Sequence, residues 1–192
     1  MKKSLIVLIA AIFIGISIFT VSTYNKSTSK ANSVIKNTNK GITPVNKSEE
    51  VKPNSIKTKA IDFKLKDLDG KEVSLSELKG KNVFLNFWAT WCPPCRSEMP
   101  EIETLFQETK DSDLVILTLS IGETSAKVKS FIHTNKYSFK VLLDSNKSIQ
   151  SKYGVTSIPT SYFIDVDGNI VSKHIGGMSL NQMKAYIKKL DK

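Results

Sequence analysis

The sequence predicts an α/β domain in which a mixed central sheet is flanked by helices. Apolar runs of strand length alternate with segments whose apolar residues recur every three or four positions, as in strands joined by amphipathic helices. The last two strand patterns are separated by Asp167-Gly168-Asn169, which is typical of a tight hairpin turn. Strands that alternate with helices around an antiparallel hairpin describe a mixed sheet covered on both faces.

The charge of the chain is concentrated before this domain. Residues 1–59 hold ten lysines and two glutamates, a net charge of +8, whereas residues 60–192 hold eighteen basic and sixteen acidic residues, a net charge of +2. A nucleic-acid-binding domain places basic residues, interleaved with aromatic ones, on its own binding face. That clustering is absent from the sequence, so we expect no nucleic acid as a partner.

The N-terminus has the pattern of a single membrane span. Two lysines precede an apolar run that starts at Leu5, and the roughly twenty residues up to Tyr24 suffice to cross a bilayer core of ~30 Å. The run ends in Thr20-Val21-Ser22-Thr23, a poor match to a signal-peptidase site, so an uncleaved anchor is favoured over a cleaved signal peptide. Either alternative exports the rest of the chain, which places the domain on the extracytoplasmic side of the cell membrane.

The segment after the anchor is rich in Lys, Asn, Ser and Thr and contains no aromatic residue. Such a segment cannot bury enough apolar surface to offset the entropy cost of ordering it, so we expect a flexible linker. The predicted organisation is therefore a transmembrane anchor (1–24), a linker (25–59) and one α/β domain (60–192).

The first half of the domain predicts a hairpin, a short helical turn, a buried strand and a long helix. Alternating apolar residues around a turn at Asp67–Gly70 indicate the hairpin, and Ser74–Gly80 resembles one capped helical turn ended by glycine. Val83–Trp88 is mostly apolar, as expected of a strand buried on both faces. The next helix should bury the face that holds Cys95, Met99, Ile102 and Phe106.

The second half continues the alternation of strands and helices. The predicted elements are strand Leu114–Ile121, helix Ser125–Lys136, strand Val141–Leu143, helix Ser148–Tyr153, strands Ser161–Asp165 and Ile170–Ile175, and helix Leu180–Leu190. The last three elements place the antiparallel hairpin before a closing amphipathic helix.

Both cysteines lie in one motif, Cys92-Pro93-Pro94-Cys95. The loop that they would close is too small to hold a domain together, so the pair serves reactivity or metal binding. At the start of a helix, residues three apart share a face, and the free N–H groups there stabilise a thiolate. We therefore expect Cys92 to be the attacking sulfur, with a lowered pKa, and Cys95 to be the resolving thiol.

The two prolines moderate this expectation. Pro93 and Pro94 each remove a backbone N–H that could have stabilised the Cys92 thiolate. The pKa of Cys92 should therefore be only moderately lowered, which favours a reducing pair over a strongly oxidising one.

Metal and haem sites are not expected. Zinc would need two further Cys or His ligands, and His133 and His174 each stand alone, far from the cysteines along the chain. A c-type haem site needs His directly after the second cysteine, where Arg96 stands. We expect no cofactor other than a redox-active Cys92–Cys95 disulfide.

The combined motifs resemble thioredoxins. The resemblance is carried by Phe87–Cys95, by Pro100 and by Ser157-Ile158-Pro159-Thr160. The lead-in segments Asp62-Phe63, Asp69-Gly70-Lys71 and Leu75–Lys81 narrow it to the TlpA/ResA-like group of membrane-anchored thioredoxins, over about residues 60–190. The resemblance implies a thioredoxin fold with an added N-terminal β-hairpin and a central insertion within residues 111–140.

The same resemblance implies roles for the residues around the cysteines. Trp91 would be an exposed ring beside the site, Pro159 the cis-proline, and Ile158 a source of backbone hydrogen bonds to the substrate. The implied substrate-binding set is Trp91, Pro93, Pro94, Ile158, Pro159 and Thr160. Cytosolic thioredoxins carry a buried Asp where this chain has Asn86, which cannot titrate, so the proton acceptor for Cys95 is unassigned, with water as a candidate.

The resemblance implies an enzyme that reduces disulfides in exported proteins. A CcdA-type membrane protein would supply electrons, and apocytochrome c or other exported thiol proteins would be substrates. A disulfide-forming oxidase is the alternative within the same chemistry. A copper chaperone of the Sco type is an alternative from a different class, although its cysteines are more widely spaced and a downstream His, here His133 or His174, would have to complete the site. Peroxiredoxins place a Thr three residues before a lone reactive cysteine, unlike this motif.

Overall fold

The computed structural model describes residues 58–190, so the predicted anchor and nearly all of the predicted linker lie outside the described residues. In chain order the elements are β1 (Thr58–Lys59), β2 (Lys64–Asp67), β3 (Glu72–Ser74), a 3-10 helix (Leu75–Leu78), β4 (Asn82–Trp88), α1 (Pro93–Thr109), β5 (Leu114–Ile121), α2 (Ser125–Asn135), β6 (Lys140–Asp144), α3 (Ser148–Lys152), β7 (Thr160–Ile164), β8 (Asn169–Ile175) and α4 (Leu180–Ile187). No helix within this part of the chain is long and apolar enough to cross a membrane.

The strands form an eight-stranded sheet in the order β1-β8-β7-β4-β5-β6-β2-β3. Strand β4 pairs in parallel with β5, and β5 pairs in parallel with β6, because α1 and α2 cross over between them. The other pairs are antiparallel. The predicted α/β class with a mixed sheet is therefore confirmed.

Strand β4 lies at the centre of the sheet and leads directly to the cysteines. It has hydrogen-bonded neighbours on both edges, β5 and β7. No residue of Val83–Trp88 is more than 2% exposed, which explains the nearly continuous apolar run. Asn86 is the polar exception in this run, so its side chain needs buried hydrogen-bond partners.

The predicted N-terminal hairpin is formed by β2 and β3. The Asp67 carboxylate accepts the backbone N–H groups of Asp69 and Lys71 at 3.0 and 2.9 Å, and Gly70 adopts a positive φ of 84°. These local bonds explain why this sequence turns. Because β2 also pairs with β6, the hairpin extends the far edge of the main sheet.

Several boundaries differ from the predictions. Strand β1 uses the last two residues of the predicted linker, which pair with Asn169 and Ile170 of β8. Helix α4 ends at Ile187, three residues earlier than predicted. On α1, Leu105 is buried and Phe106 only half-buried. The stretch 111–140, where the central insertion is expected, holds β5 and α2, and β6 starts at its end.

Candidate active site

The cysteines form a disulfide where β4 leads into α1. The S–S distance is 2.09 Å, and the Cys95 N–H donates to the Cys92 Sγ at 3.2 Å, so Cys92 caps the helix. Cys92 retains 3% of its surface exposed and Cys95 none. An incoming thiolate can therefore reach the Cys92 sulfur more readily than that of Cys95.

Few groups stabilise a thiolate at Cys92. Pro93 and Pro94 fill the first two helical positions and offer no N–H, so the Cys95 N–H is the donor that reaches the Cys92 sulfur. On the other side, the Ile158 carbonyl oxygen lies 3.7 Å from the same sulfur. In the reduced protein this oxygen can accept from the Cys92 S–H, which favours the thiol over the thiolate. The moderate lowering of the Cys92 pKa stays a prediction.

The residues predicted to bind substrate surround this sulfur from two segments. Trp91 is 57% exposed, and Pro93 and Pro94 are also exposed on the helical side. Ile158 is half-buried and precedes Pro159 through a cis peptide bond, as the resemblance implied. The fold thus brings both segments to Cys92, and their contact with substrate stays a prediction.

Thr160 stands apart from this set. It is buried as the first residue of β7, and its hydroxyl donates to the Ser157 carbonyl at 2.7 Å. Its side chain therefore shapes the loop that carries Ile158 and Pro159.

Glu98 is a buried carboxyl group one helical turn beyond Cys95. It is 2% exposed. Its Oε1 accepts the Met178 N–H at 3.1 Å, and its Oε2 accepts from Asn86 Nδ2 at 3.3 Å. Asn86 Nδ2 also donates to Ser161 Oγ at 2.9 Å, while Asn86 Oδ1 has no hydrogen-bond partner among the described residues. The site therefore contains a titratable group that was not assigned from the sequence.

Burial raises the pKa of Glu98 to about 7, against the hydrogen bonds from Met178 and Asn86, which lower it. A carboxyl group with this pKa exchanges protons near neutral pH. Residues three apart on a helix are neighbours, so Glu98 is placed beside Cys95 on the buried face of α1. Its position on the apolar stripe that contains Cys95 and Met99 was the available sequence signal, because an acid is rare on such a stripe.

A second buried carboxylate, Glu123, contacts the loop before the cysteines. It accepts hydrogen bonds from Thr90, and Lys127 forms an ion pair with it at 2.8 Å. Burial opposes ionisation of Glu123, but the Lys127 and Thr90 bonds outweigh it and lower its pKa below the ordinary value. Glu123 is therefore ionised at neutral pH. No sequence pattern joins it to Thr90, which lies on a different strand end.

The two histidines lie on α2 and on β8. His133 is exposed on α2, and His174 Nδ1 lies 3.3 Å from the Tyr186 hydroxyl of α4. Within residues 58–190, no three His, Cys, Asp or Glu side chains are grouped so that they could hold a metal ion.

Comparisons with known proteins agree with this geometry. The sequence matches the AhpC/TSA family over residues 56–173. It is 42% identical over 131 residues to the thiol-disulfide oxidoreductase ResA of Bacillus anthracis, and the match covers 68% of this chain and 76% of ResA.

Two solved structures are also similar. A thiol:disulfide interchange protein of the thioredoxin family from Chlorobium tepidum TLS superposes with a TM-score of 0.63 at 31% identity, over 69% of this chain and 94% of the other. The exposed lipoprotein thioredoxin Etrx1 of Streptococcus pneumoniae strain TIGR4 gives 0.61 at 37% identity, over 68% and 100%. With the disulfide at the start of α1, these similarities show that the chain belongs to the AhpC/TSA family and is a ResA-like thiol-disulfide oxidoreductase of thioredoxin fold.

Proposed function

We propose that the chain is an extracytoplasmic protein-disulfide reductase, held at the cell membrane by residues 1–24. Electrons would come from a CcdA-type membrane protein and pass to disulfides in exported proteins, apocytochrome c among them. The observation that carries this proposal is the Cys92–Cys95 pair at the helix start, with one N–H donor on the Cys92 sulfur. The N-terminal sequence pattern and the similarity to an exposed lipoprotein support the location.

The reaction passes two electrons from the cysteine pair to the substrate. The Cys92 thiolate attacks one sulfur of the substrate disulfide, and the other substrate sulfur leaves as a thiolate and takes up a proton. The Cys95 thiol then loses its proton, and its sulfur attacks Cys92. The mixed disulfide breaks, the second substrate sulfur leaves and is protonated, and the Cys92–Cys95 bond forms.

Asn86 cannot accept the proton of the Cys95 thiol, but the Glu98 carboxylate can. A base with a pKa of about 7 is matched to proton transfer near neutral pH. Glu98 lies one turn from Cys95 and is buried, so the proton can move without exposing the mixed disulfide to solvent. We assign the proton of Cys95 to Glu98 during the resolving step.

The groups around the Cys92 sulfur support the reducing direction of the reaction. A strongly oxidising pair needs a thiolate that several donors stabilise, because stabilising the reduced form raises the reduction potential. Here Pro94 withholds the second helical N–H, which a capping side chain can accept, and the Ile158 carbonyl favours the thiol. These groups support a reductase.

The reduction potential of the full-length chain tests the direction. We expect equilibration with glutathione or dithiothreitol buffers to give a potential near that of thioredoxin, about −270 mV. Cys92→Ser should abolish reduction of insulin, whereas Cys95→Ser should accumulate mixed disulfides. A potential near about −120 mV would contradict the reductase and support the disulfide-forming oxidase.

Location and partners need experiments in cells. In intact cells, a membrane-impermeant maleimide should label Cys92 of the Cys95→Ser variant, and mass spectrometry of its trapped mixed disulfides should identify exported proteins. Deletion of a CcdA-type protein should shift the wild-type cysteines to the oxidised state. Labelling only after lysis would contradict the extracytoplasmic location.

A further inference from the structure

A groove of about 440 Å³ lies beside the disulfide. Its lining includes Pro93, Arg96 and Pro100 of α1, Phe131 and Asn135 of α2, and Tyr137. Pro93 lies between the two cysteines, and Arg96 follows Cys95 directly. The groove therefore starts at residues that flank the cysteines along the chain.

Arg96 is the only arginine among the 28 basic residues of the chain. Lysine supplies the positive charge everywhere else, so a charge needed only for solubility would not require arginine here. The planar guanidinium presents several N–H groups in a fork that matches a carboxylate, which a lysine ammonium cannot do. A single arginine at this place therefore points to recognition of a planar anion.

Arg96 is exposed, and no carboxylate within residues 58–190 forms an ion pair with it. The ion pairs seen in this region all use lysines, namely Lys64, Lys127, Lys129, Lys140 and Lys184. Glu103, further along α1, also faces Tyr137, but its carboxylate accepts from the Ser138 N–H at 2.7 Å and from Gln107 at 2.8 Å. The Arg96 guanidinium is thus available to a ligand.

Two aromatic rings line the groove, those of Phe131 and Tyr137, and buried rings pack against both. The Phe131 ring lies 5.4 Å from that of Trp88 and 6.1 Å from that of Tyr137, and Tyr137 stacks on Phe139 at 5.3 Å. Rings held by such packing lose little conformational entropy when a peptide covers them. Two rings held by packing, with one guanidinium beside them, suit an extended peptide that carries an acidic side chain.

We propose that this Arg96 groove binds the substrate segment next to the reactive half-cystine, with Arg96 pairing to an Asp or Glu side chain of that segment. The inference rests on the proposed function, since the groove selects among disulfides that Cys92 attacks. A charge-assisted pair of this kind should speed the reaction of an acidic substrate about tenfold over its neutral counterpart.

The test uses the reduced full-length chain and peptides that carry one cysteine capped with the neutral thiol 2-mercaptoethanol. Each peptide has Glu, or Gln as its neutral counterpart, at one of the three positions on either side of the cysteine. The second-order rate constant for oxidation of the protein is followed by tryptophan fluorescence. At the favoured position the wild-type Glu-to-Gln rate ratio should be about ten, and it should fall towards one in 1 M salt.

The variants assign that ratio to Arg96. Arg96→Gln should bring the ratio to about one, and Arg96→Lys should give an intermediate value because the charge stays and the fork is lost. Lys110→Gln removes a positive charge at the other end of the same helix and should leave the ratio near ten. Because each ratio compares two peptides on one protein, changes in cysteine reactivity cancel.

Two results would overturn the proposal without touching the proposed function: a ratio of one at every position in the wild type, or a ratio that Arg96→Gln leaves unchanged. Failure of the wild type to reduce any peptide would overturn the proposed function and this inference with it.

Discussion

Thr90 is bonded twice to the carboxylate of Glu123: its backbone N–H donates to Oε2 at 2.7 Å, and its hydroxyl donates to Oε1 at 2.6 Å. Thr90 immediately precedes Trp91 and Cys92, whereas Glu123 follows β5. The pair therefore ties the loop that carries the exposed Trp91 to the neighbouring strand of the sheet. The Ser120 hydroxyl also donates to this carboxylate, at 3.3 Å, which fixes its orientation.

Glu123→Gln should destabilise the oxidised protein by about 2 kcal/mol at pH 7, because a buried N–H or O–H of Thr90 loses its charged acceptor. The folded state lowers the pKa of Glu123, so its contribution to stability is present above the ordinary carboxyl pKa and is lost as the pH falls through the lowered value. Urea unfolding at pH 7 and pH 3 should show a difference from wild type that shrinks at pH 3.

Lys127→Gln is the matched control for this change. It removes the partly exposed partner of the same ion pair but leaves both Thr90 bonds, so its cost should stay below about 1 kcal/mol. An equal loss in the two variants would show that the ion pair, and not the attachment of Thr90, is what stabilises the loop.

Glu98→Gln should have the opposite effect on stability. Burial raises the pKa of Glu98 from 4.5 to about 7, so the folded protein binds more protons than the unfolded chain between these values, and its stability falls as the pH rises through this window. At pH 8 the neutral variant should be more stable than wild type by up to roughly 3 kcal/mol, whereas at pH 4.5 the gain should be small.

The amide N–H groups that Glu98→Gln introduces have a hydrogen-bond acceptor nearby. The unpartnered Asn86 Oδ1 can turn to accept from it. Urea unfolding of the oxidised protein measures the difference, with the exposed Asp111→Asn as a control that should show no such pH dependence. A Glu98→Gln variant less stable than wild type at pH 8 would exclude a costly buried charge at this position.

Glu98→Gln should also slow the resolving step without slowing the first attack. Removing a positioned proton acceptor typically costs at least about 100-fold in the step that it serves. In single-turnover reactions with a peptide disulfide, formation of the mixed disulfide at Cys92 should keep its rate, while its collapse by Cys95 should slow to that extent. If Glu98→Gln leaves the rate of this collapse unchanged, the acceptor of the Cys95 proton is a water molecule and not Glu98.

The parts of the fold that depend on local pattern were predictable. Strand β4 could be recognised because burial on both faces requires a continuous apolar run, and the position of Cys92 follows from its place between that strand and a helix. The hairpin turn at Asp67–Gly70 is built from bonds within a few residues. In each case the residues that determine the structure are close to one another in the sequence.

What could not be predicted depends on contacts between distant segments. The proton affinity of Glu98 depends on burial and on Met178, eighty residues away, whose N–H it accepts. Strand β1 is two exposed residues long and pairs with β8 through its main chain, so it leaves no apolar periodicity. The groove at Arg96 exists only once the fold brings residues of α1 and α2 to the same surface.

Pro94→Ala should make the cysteine pair more oxidising. A helix-capping side chain accepts from the second or third helical N–H, and here only the third, that of Cys95, reaches the Cys92 sulfur because Pro94 occupies the second position. Restoring that N–H adds a second donor to the thiolate, which should lower the Cys92 pKa by about one unit and raise the reduction potential by about 20 mV.

Pro93→Ala is the matched control, since the first helical N–H is not one that a capping side chain accepts, and it should change both quantities much less. Thiolate absorbance at 240 nm against pH and equilibration with dithiothreitol measure the two quantities. Equal shifts in the two variants would mean that a general loosening of the helix start, and not the missing donor at Pro94, sets the reactivity of Cys92.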